Sequence, residues 1–406
     1  MDDVLIVGAG PAGAVAAIVL ARAGARVRVI DRATFPRDKL CGDTINPGTL
    51  MALRDLGLSA PIEASGLRID GMRVTGPTGL AIKGCYPDGL YGRALLRRDL
   101  DWALLRQAIE AGVQFESGVA VRHALTESSR AAKSVLGVAV GVGGRSRDLR
   151  APVTIGADGR RSTLAFALGL ARHPSSPRRW ALGAYYEQVH DMSSLGEMHI
   201  RRGRYIGVSP IPGGLTNVCL VRTNPKGVGR LFPDPAPRTP PAADPHAQIT
   251  PDPIFASALA DELARDPWLR DRFADARLVR PPVVLGPLAV DVTSEPVAGL
   301  LLAGDAAGFI DPMTGDGLRF AIRGGALAAG AALDALTHGW SGVHDRLAVA
   351  RRREFAAKWR FNRVLRALVA SPTGMAAANL GARLAPQALR RVIATAGDCG
   401  VASRSG

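Results

Sequence analysis

At 406 residues and 47% hydrophobic composition, the chain is too long for one simple core and predicts two joined domains followed by a tail. Its net charge of +15 is almost all arginine, with only five lysines; no basic motif interleaved with aromatics accompanies it. That argues against nucleic acid as a partner and leaves a positive field suited to anionic cofactors or lipid headgroups. No apolar run approaches the roughly 20 residues needed to cross a bilayer. Cys41, Cys85, Cys219 and Cys399 show neither metal-ligand spacing nor a disulfide framework, so no metal site and reduced thiols are expected.

In chain order, the apolar run from Val4 to Val7 predicts a buried parallel strand, and a helix follows from about Ala12 to Ala23. Between and into them fall Gly8, Gly10 and Gly13 in G-x-G-x-x-G spacing. The first glycine permits the turn, the second lets a pyrophosphate approach the backbone, and the third lets the helix pack closely on the sheet. A second strand spans Val27 to Ile30, with Asp31 at its tip, 18 residues past Gly13, to hold ribose hydroxyls. Strand, turn, helix, strand and acid in this order point to a bound dinucleotide, FAD. The fingerprint opens so near Met1 that no signal peptide precedes it, and a cytoplasmic location is expected.

The loop from Arg32 to Pro47, RATFPRDKLCGDTINP, is placed by its connection to border the flavin ring. Leu95 to Ala111 predicts a helix entered through Arg97 and Arg98. The glycine-rich GVAVGVGG at 137–144 lacks a strand–turn–helix frame and reads as a β-hairpin. Val153 to Asp158 predicts another buried strand, leading into GADGRRSTLA. From about Arg172 to Leu285 alternating β segments predict a substrate domain, interrupted at 224–253 by an insertion with nine prolines. The chain returns to the first domain at Gly299 to Leu302, before GDAAGFIDPMTGDGLRF and a small-residue helix. Val343 to Ala370 predicts a basic amphipathic helix, which suits either the core or an anionic membrane surface at the inner face.

Three of these segments together resemble the FAD-dependent oxidoreductases built like p-hydroxybenzoate hydroxylase, and within them the geranylgeranyl reductase family. They are the fingerprint with Ala12, Asp31 and Arg32; Gly156-Ala157-Asp158-Gly159; and Gly304-Asp305-Ala306-Ala307. The resemblance implies that Asp158 helps organise the FAD and nicotinamide region and that Asp305 contacts the ribityl chain. It places Lys39, Cys41 and Gly42 beside the isoalloxazine and Arg97 against FAD. Gly315 and Gly317 would open a helix whose N-terminus faces the flavin pyrimidine edge.

The fold implied is α/β: a Rossmann-like FAD-binding domain (1–66, 92–171 and 286–342), an inserted β-rich substrate domain (67–91 and 172–285) and a C-terminal helical region (343–406). The function implied is reduction of carbon–carbon double bonds in a hydrophobic, isoprenoid-like substrate, with NADPH or NADH, or an external electron donor, reducing the flavin. Cys41 is then the candidate proton donor or substrate gate and Tyr205 the candidate residue on the substrate face. An NAD(P)H-dependent monooxygenase acting on a polyketide-like or terpenoid compound is the alternative reading, and a flavin-dependent halogenase a lesser one, since its W-x-W-x-I-P motif is missing. The archaeal Tyr-x-Trp-x-Phe-Pro segment has its counterpart at Tyr205 to Pro210, which keeps Tyr and Pro but has neither Trp nor Phe. That departure argues against a long isoprenoid substrate.

Overall fold

The structure, a computed structural model, describes residues 2–39, 43–77, 79, 81–128, 133–142, 145–175, 179–223, 253–310, 313, 315–371, 374 and 386–399. Cys41, Gly42 and all but the last residue of the proline-rich insertion lie outside them.

Three short, mainly apolar strands and two mixed ones form a fully parallel sheet in the spatial order Leu300–Leu302, Val153–Gly156, Val4–Val7, Val27–Asp31, Gln114–Ser117. Being covered on both faces, its central strands are apolar throughout rather than alternating. On one face pack α1 (Pro11–Arg22), α2 (Pro47–Asp55), α3 (Ala60–Ser65) and α4 (Arg97–Glu110). The other face carries α5 (Thr163–Ala167) and an antiparallel sheet of Ala120–Ser128, Lys133–Val142 and Arg145–Arg150.

An eight-stranded sheet holds Arg179–Glu187, Leu195–Arg201, Arg204–Ile211 and Leu215–Thr223, joined at one edge by Gly71–Thr75 and Ala81–Cys85. Behind it α6 (Pro253–Arg265) buries Leu259 and Leu263 against Leu182, Ile206, Val208 and Leu220. This helix falls within a stretch whose sequence reads as strands. A small sheet of Thr44–Ile45, Gly92–Ala94 and Leu67–Ile69 links the two larger ones.

The chain closes with α7 (Gly317–His338), α8 (Val343–Ala370) and α9 (Pro386–Ala396). Small residues let α7 approach α1 at backbone distance: a Cβ added to Gly325 would stand 2.4 Å from the Ala12 carbonyl oxygen. Among the described residues no helix is long and apolar enough to cross a membrane, and no His, Cys, Asp and Glu cluster could hold a metal ion.

Candidate functional site

The three fingerprint glycines occupy different environments. Gly8 has φ +101°, and a Cβ there would lie 2.5 Å from the Ala157 carbonyl oxygen; at Gly13 one would lie 1.9 Å from the Gly8 oxygen. Both keep strand, turn and helix in contact. At Gly10 a Cβ would meet only Arg37 Nη2, at 3.5 Å. The backbone there is bare toward space that protein does not fill, just where the α1 N-terminus presents unpaired N–H groups and a positive dipole end to an anion. Asp31 sits at the strand tip and accepts from the amides of Ala9 and Ala33, both at 2.8 Å. That fixes the carboxylate while leaving further lone pairs for hydroxyl groups. Arg32 beside it is exposed and lies within electrostatic reach of Asp158.

A second group of charges collects around Asp101, which is buried. Its two oxygens take a bidentate pair from Arg97 at 2.8 and 3.0 Å, and Arg37 joins at 2.9 Å. One carboxylate thus orients two guanidinium groups, one of them adjacent to Gly10. Asp305 opens the tight turn Gly304–Ala307 after the last parallel strand, and Gly304, at φ +60°, admits the close approach of Ala12. Burial raises the Asp305 pKa, with Lys39, Arg97 and Arg160 opposing the rise. Lys39 is itself exposed at its surface, yet the desolvating surroundings, and next Arg97, lower its pKa.

Asp158 follows the strand Val153–Gly156. Its Oδ2 accepts from the Thr163 amide at 2.7 Å, while its buried Oδ1 has no protein partner, and burial raises its pKa. An orphaned carboxylate oxygen beside the glycine turn, and a bare backbone at Gly10, fit a dinucleotide with phosphates and ribose hydroxyls. The residues present therefore suit FAD.

Sequence motifs did not single out Asp43, although it closes the CGD triplet of the flavin-side loop. It is 4% exposed. Its Oδ2 accepts from Tyr185 Oη at 2.8 Å and Asn217 Nδ2 at 2.6 Å, and its Oδ1 from the Arg97 amide at 3.1 Å. Burial pushes its pKa up to about 7, against the pull of Tyr185 and Arg97. Thr44 adds a hydroxyl contact to Ser209 at 3.1 Å, so the loop is bonded to the large sheet at consecutive residues.

Strand register gives that sheet face its content. Tyr185 pairs with Asn217, Asn217 with Ser209, Val221 with Tyr205, and Tyr205 with Ile200, all on one side of the pleat. At the far end of this side Tyr205, Ile200 and Val221 are buried with Leu288 and Met313, and Met198, Cys219 and Leu365 pack against them. His199 points to the opposite side, between Thr75 Oγ1 at 2.9 Å and Glu197 Oε2 at 3.0 Å, where it is buried in a structural network.

Gly315, at φ +68°, and Gly317 flank Asp316 at the start of α7. The Asp316 side chain turns away into the protein, to Lys358 at 3.0 Å, Asn362 at 3.1 Å and Asn46 at 3.2 Å. The helix N-terminus keeps no side-chain cap of its own.

Residues 1–210 match the FAD binding domain family. A menaquinone reductase of Mycobacterium tuberculosis is 32% identical over 341 residues, covering 80% of this chain and 75% of that protein. A digeranylgeranylglycerophospholipid reductase of Methanosarcina mazei is 28% identical over 369 residues, 88% of this chain and 80% of its own. Among solved structures, a flavin-dependent brominase superposes with TM-score 0.79 at 20% identity, over 98% of this chain and 94% of the other. A geranylgeranyl bacteriochlorophyll reductase-like protein of Thermoplasma acidophilum gives 0.73 at 19%, over 98% and 91%. At such identities the solved structures speak for the fold alone.

Proposed function

Because the chain belongs to the FAD binding domain family and is an FAD-dependent oxidoreductase, we propose that it reduces carbon–carbon double bonds of a hydrophobic, isoprenoid-like substrate, drawing electrons from NADPH or NADH. The observation that carries this reading is the composition of one sheet face: apolar side chains around Tyr205 at one end, and the buried Asp43 with Tyr185 and Asn217 at the other. An apolar wall ending in one group that can hold a proton suits addition of hydride and proton across an alkene better than it suits a polar substrate. The reductase names borne by the relatives support the same direction.

FAD, when bound, supplies the hydride. The α1 N-terminus with Gly10 and Arg37 would hold its pyrophosphate, Asp31 its ribose hydroxyls, and Asp158, Lys39, Arg97 and Asp305 the remainder of the cofactor. Asp43 stores a proton at its carboxyl, beside the Tyr185 hydroxyl, two residues along the sequence from Cys41. Cys41 passes a proton to, or gates, the substrate, and Tyr205 packs along its apolar body. The sheet face excludes water from the reacting bond.

The test is anaerobic. NADPH is added to the FAD-loaded protein until the flavin bleaches, and a prenylated quinone follows. Recovery of the oxidised flavin spectrum in step with a gain of two hydrogens on the prenyl chain, rather than at the quinone ring, supports the reading. A flavin that bleaches with dithionite but not with NADPH or NADH moves the electron source to an external reductase, and a reduced flavin that no prenylated acceptor reoxidises removes the substrate class.

A further inference from the structure

We propose that the outward face of α8 docks on an anionic lipid bilayer and thereby brings the apolar face of the large sheet close to a membrane-dissolved substrate; the docking stands on α8 alone, and only its purpose rests on the function proposed above. The inward face of the helix is spent on the fold: Leu347 and Phe355 are buried, Phe355 packs edge-to-face and Trp359 at a tilt against Phe320 of α7, and Lys358 and Asn362 bind Asp316. The opposite arc carries Arg352, Arg353, Arg360 and Arg363, all exposed, with Val349 (38% exposed) and Val364 (67%) among them.

Among the described residues no acid pairs with this arc, and the one exposed acid of the helix, Asp345, stands at its N-terminal end. Among the described residues none of the four arginines has an ion-pair partner, and the one acid within the middle turns, Glu354, is taken by Arg319 and Arg323 at 2.9 to 3.2 Å. Four unpaired guanidinium groups interleaved with exposed valines match a surface that is anionic above and apolar beneath. A nucleic acid fits less well, since the exposed arc offers no aromatic ring for a base to stack on. The position also matters. Val364 faces out while the next residue, Leu365, packs into the apolar cluster of Tyr205, Ile200 and Met313, so a single turn of α8 separates the proposed lipid surface from that cluster.

The experiment is co-sedimentation of the FAD-loaded full chain with vesicles of phosphatidylcholine alone or mixed with phosphatidylglycerol. Binding should require phosphatidylglycerol and weaken as salt rises. Arg352→Gln/Arg353→Gln/Arg360→Gln/Arg363→Gln should lower the partition coefficient by about tenfold or more, each arginine near a charged surface contributing measurably. Arg106→Gln/Arg145→Gln/Arg265→Gln/Arg270→Gln removes equal charge from exposed sites on other elements and should bind nearly as the parent does. Flavin reduction by NADPH should stay within about twofold in both variants, as expected of surface changes. Absence of binding to the mixed vesicles, equal loss in the two variants, or binding to duplex DNA in place of vesicles would each overturn the proposal. Vesicle binding together with no turnover of any prenylated acceptor would keep the docking and remove the reading of function on which its purpose rests.

Discussion

The Asp43 carboxyl accepts from Tyr185, Asn217 and the Arg97 amide, bonds that favour its charge, yet burial outweighs them and lifts its pKa from 3.8 to about 7. A raised carboxyl pKa means that the folded state binds the proton more tightly than the unfolded one. Its contribution to stability is therefore present at low pH and is lost as pH rises from about 4 through about 7. Asp43→Asn should flatten that part of the profile, measured by urea unfolding at a series of pH values; an unchanged slope would place the proton elsewhere. The same variant should slow substrate reduction by about 100-fold, the lower range for loss of a general acid, while flavin reduction by NADPH hardly changes. In the parent, substrate reduction should decline as pH rises through about 7.

Gly8 and Gly10 make a contrasting pair. Gly10 has φ −70°, which any residue adopts, and room for a side chain, so Gly10→Val should fold normally and be recovered without flavin absorbance. Yellow, fully loaded protein from that variant would contradict the assigned phosphate position. Gly8→Ala meets both a positive φ and a 2.5 Å clash with backbone, and should fail to accumulate as folded protein. These glycines were legible because their spacing is local. Asp43 was not, because its partners lie 142 and 174 residues away and no local pattern marks a carboxylate that folding will bury.

Among the elements, α8 was readable as a helix, but the joint it makes was not. Lys358, buried, bonds Asp316 at the start of α7 and donates to the carbonyls of Thr395 and Ala396 at 2.7 and 2.8 Å, tying the end of α9 to the same point. Burial lowers the Lys358 pKa and Asp316 restrains the fall. Lys358→Met leaves a buried carboxylate without its cation and should cost about 3 to 5 kcal/mol by urea unfolding, with earlier proteolytic cleavage near α9. Adding Asp316→Leu should recover part of that loss, whereas full additivity of the two changes would deny the pair. Within the stretch that reads as β, the strand Leu195–Arg201 has no clean alternation of its own, for a related reason. Its buried positions include Glu197 and His199, satisfied by Arg272 at 2.7 and 3.1 Å and by Thr75, so the alternation reads polar where the strand is most enclosed. In α6 the helical period was present in Phe255, Leu259 and Leu263, but it falls inside a stretch assigned as a whole to β segments and directly after the proline-rich insertion.

For the molecule as a whole, the two principal sheets divide the work. The parallel sheet and its glycine turn offer an anion site and fixed charges, and the eight-stranded sheet turns an apolar face, bounded by Asp43, toward the loop that joins them. Rossmann-like architecture was legible from the fingerprint and the returning strand at 300–302, since buried parallel strands are apolar throughout. The chemistry of the second face depended on register, which sets the sides of four strands at once and which composition does not reveal. The most direct measurement is mass spectrometry of the prenyl chain of a prenylated quinone after anaerobic incubation with FAD-loaded protein and NADPH in deuterated water. Two hydrogens added across a carbon–carbon double bond, at least one of them deuterium from the solvent, is the predicted result; a substrate whose double bonds are unchanged and that gains an oxygen atom only when air is admitted would contradict it.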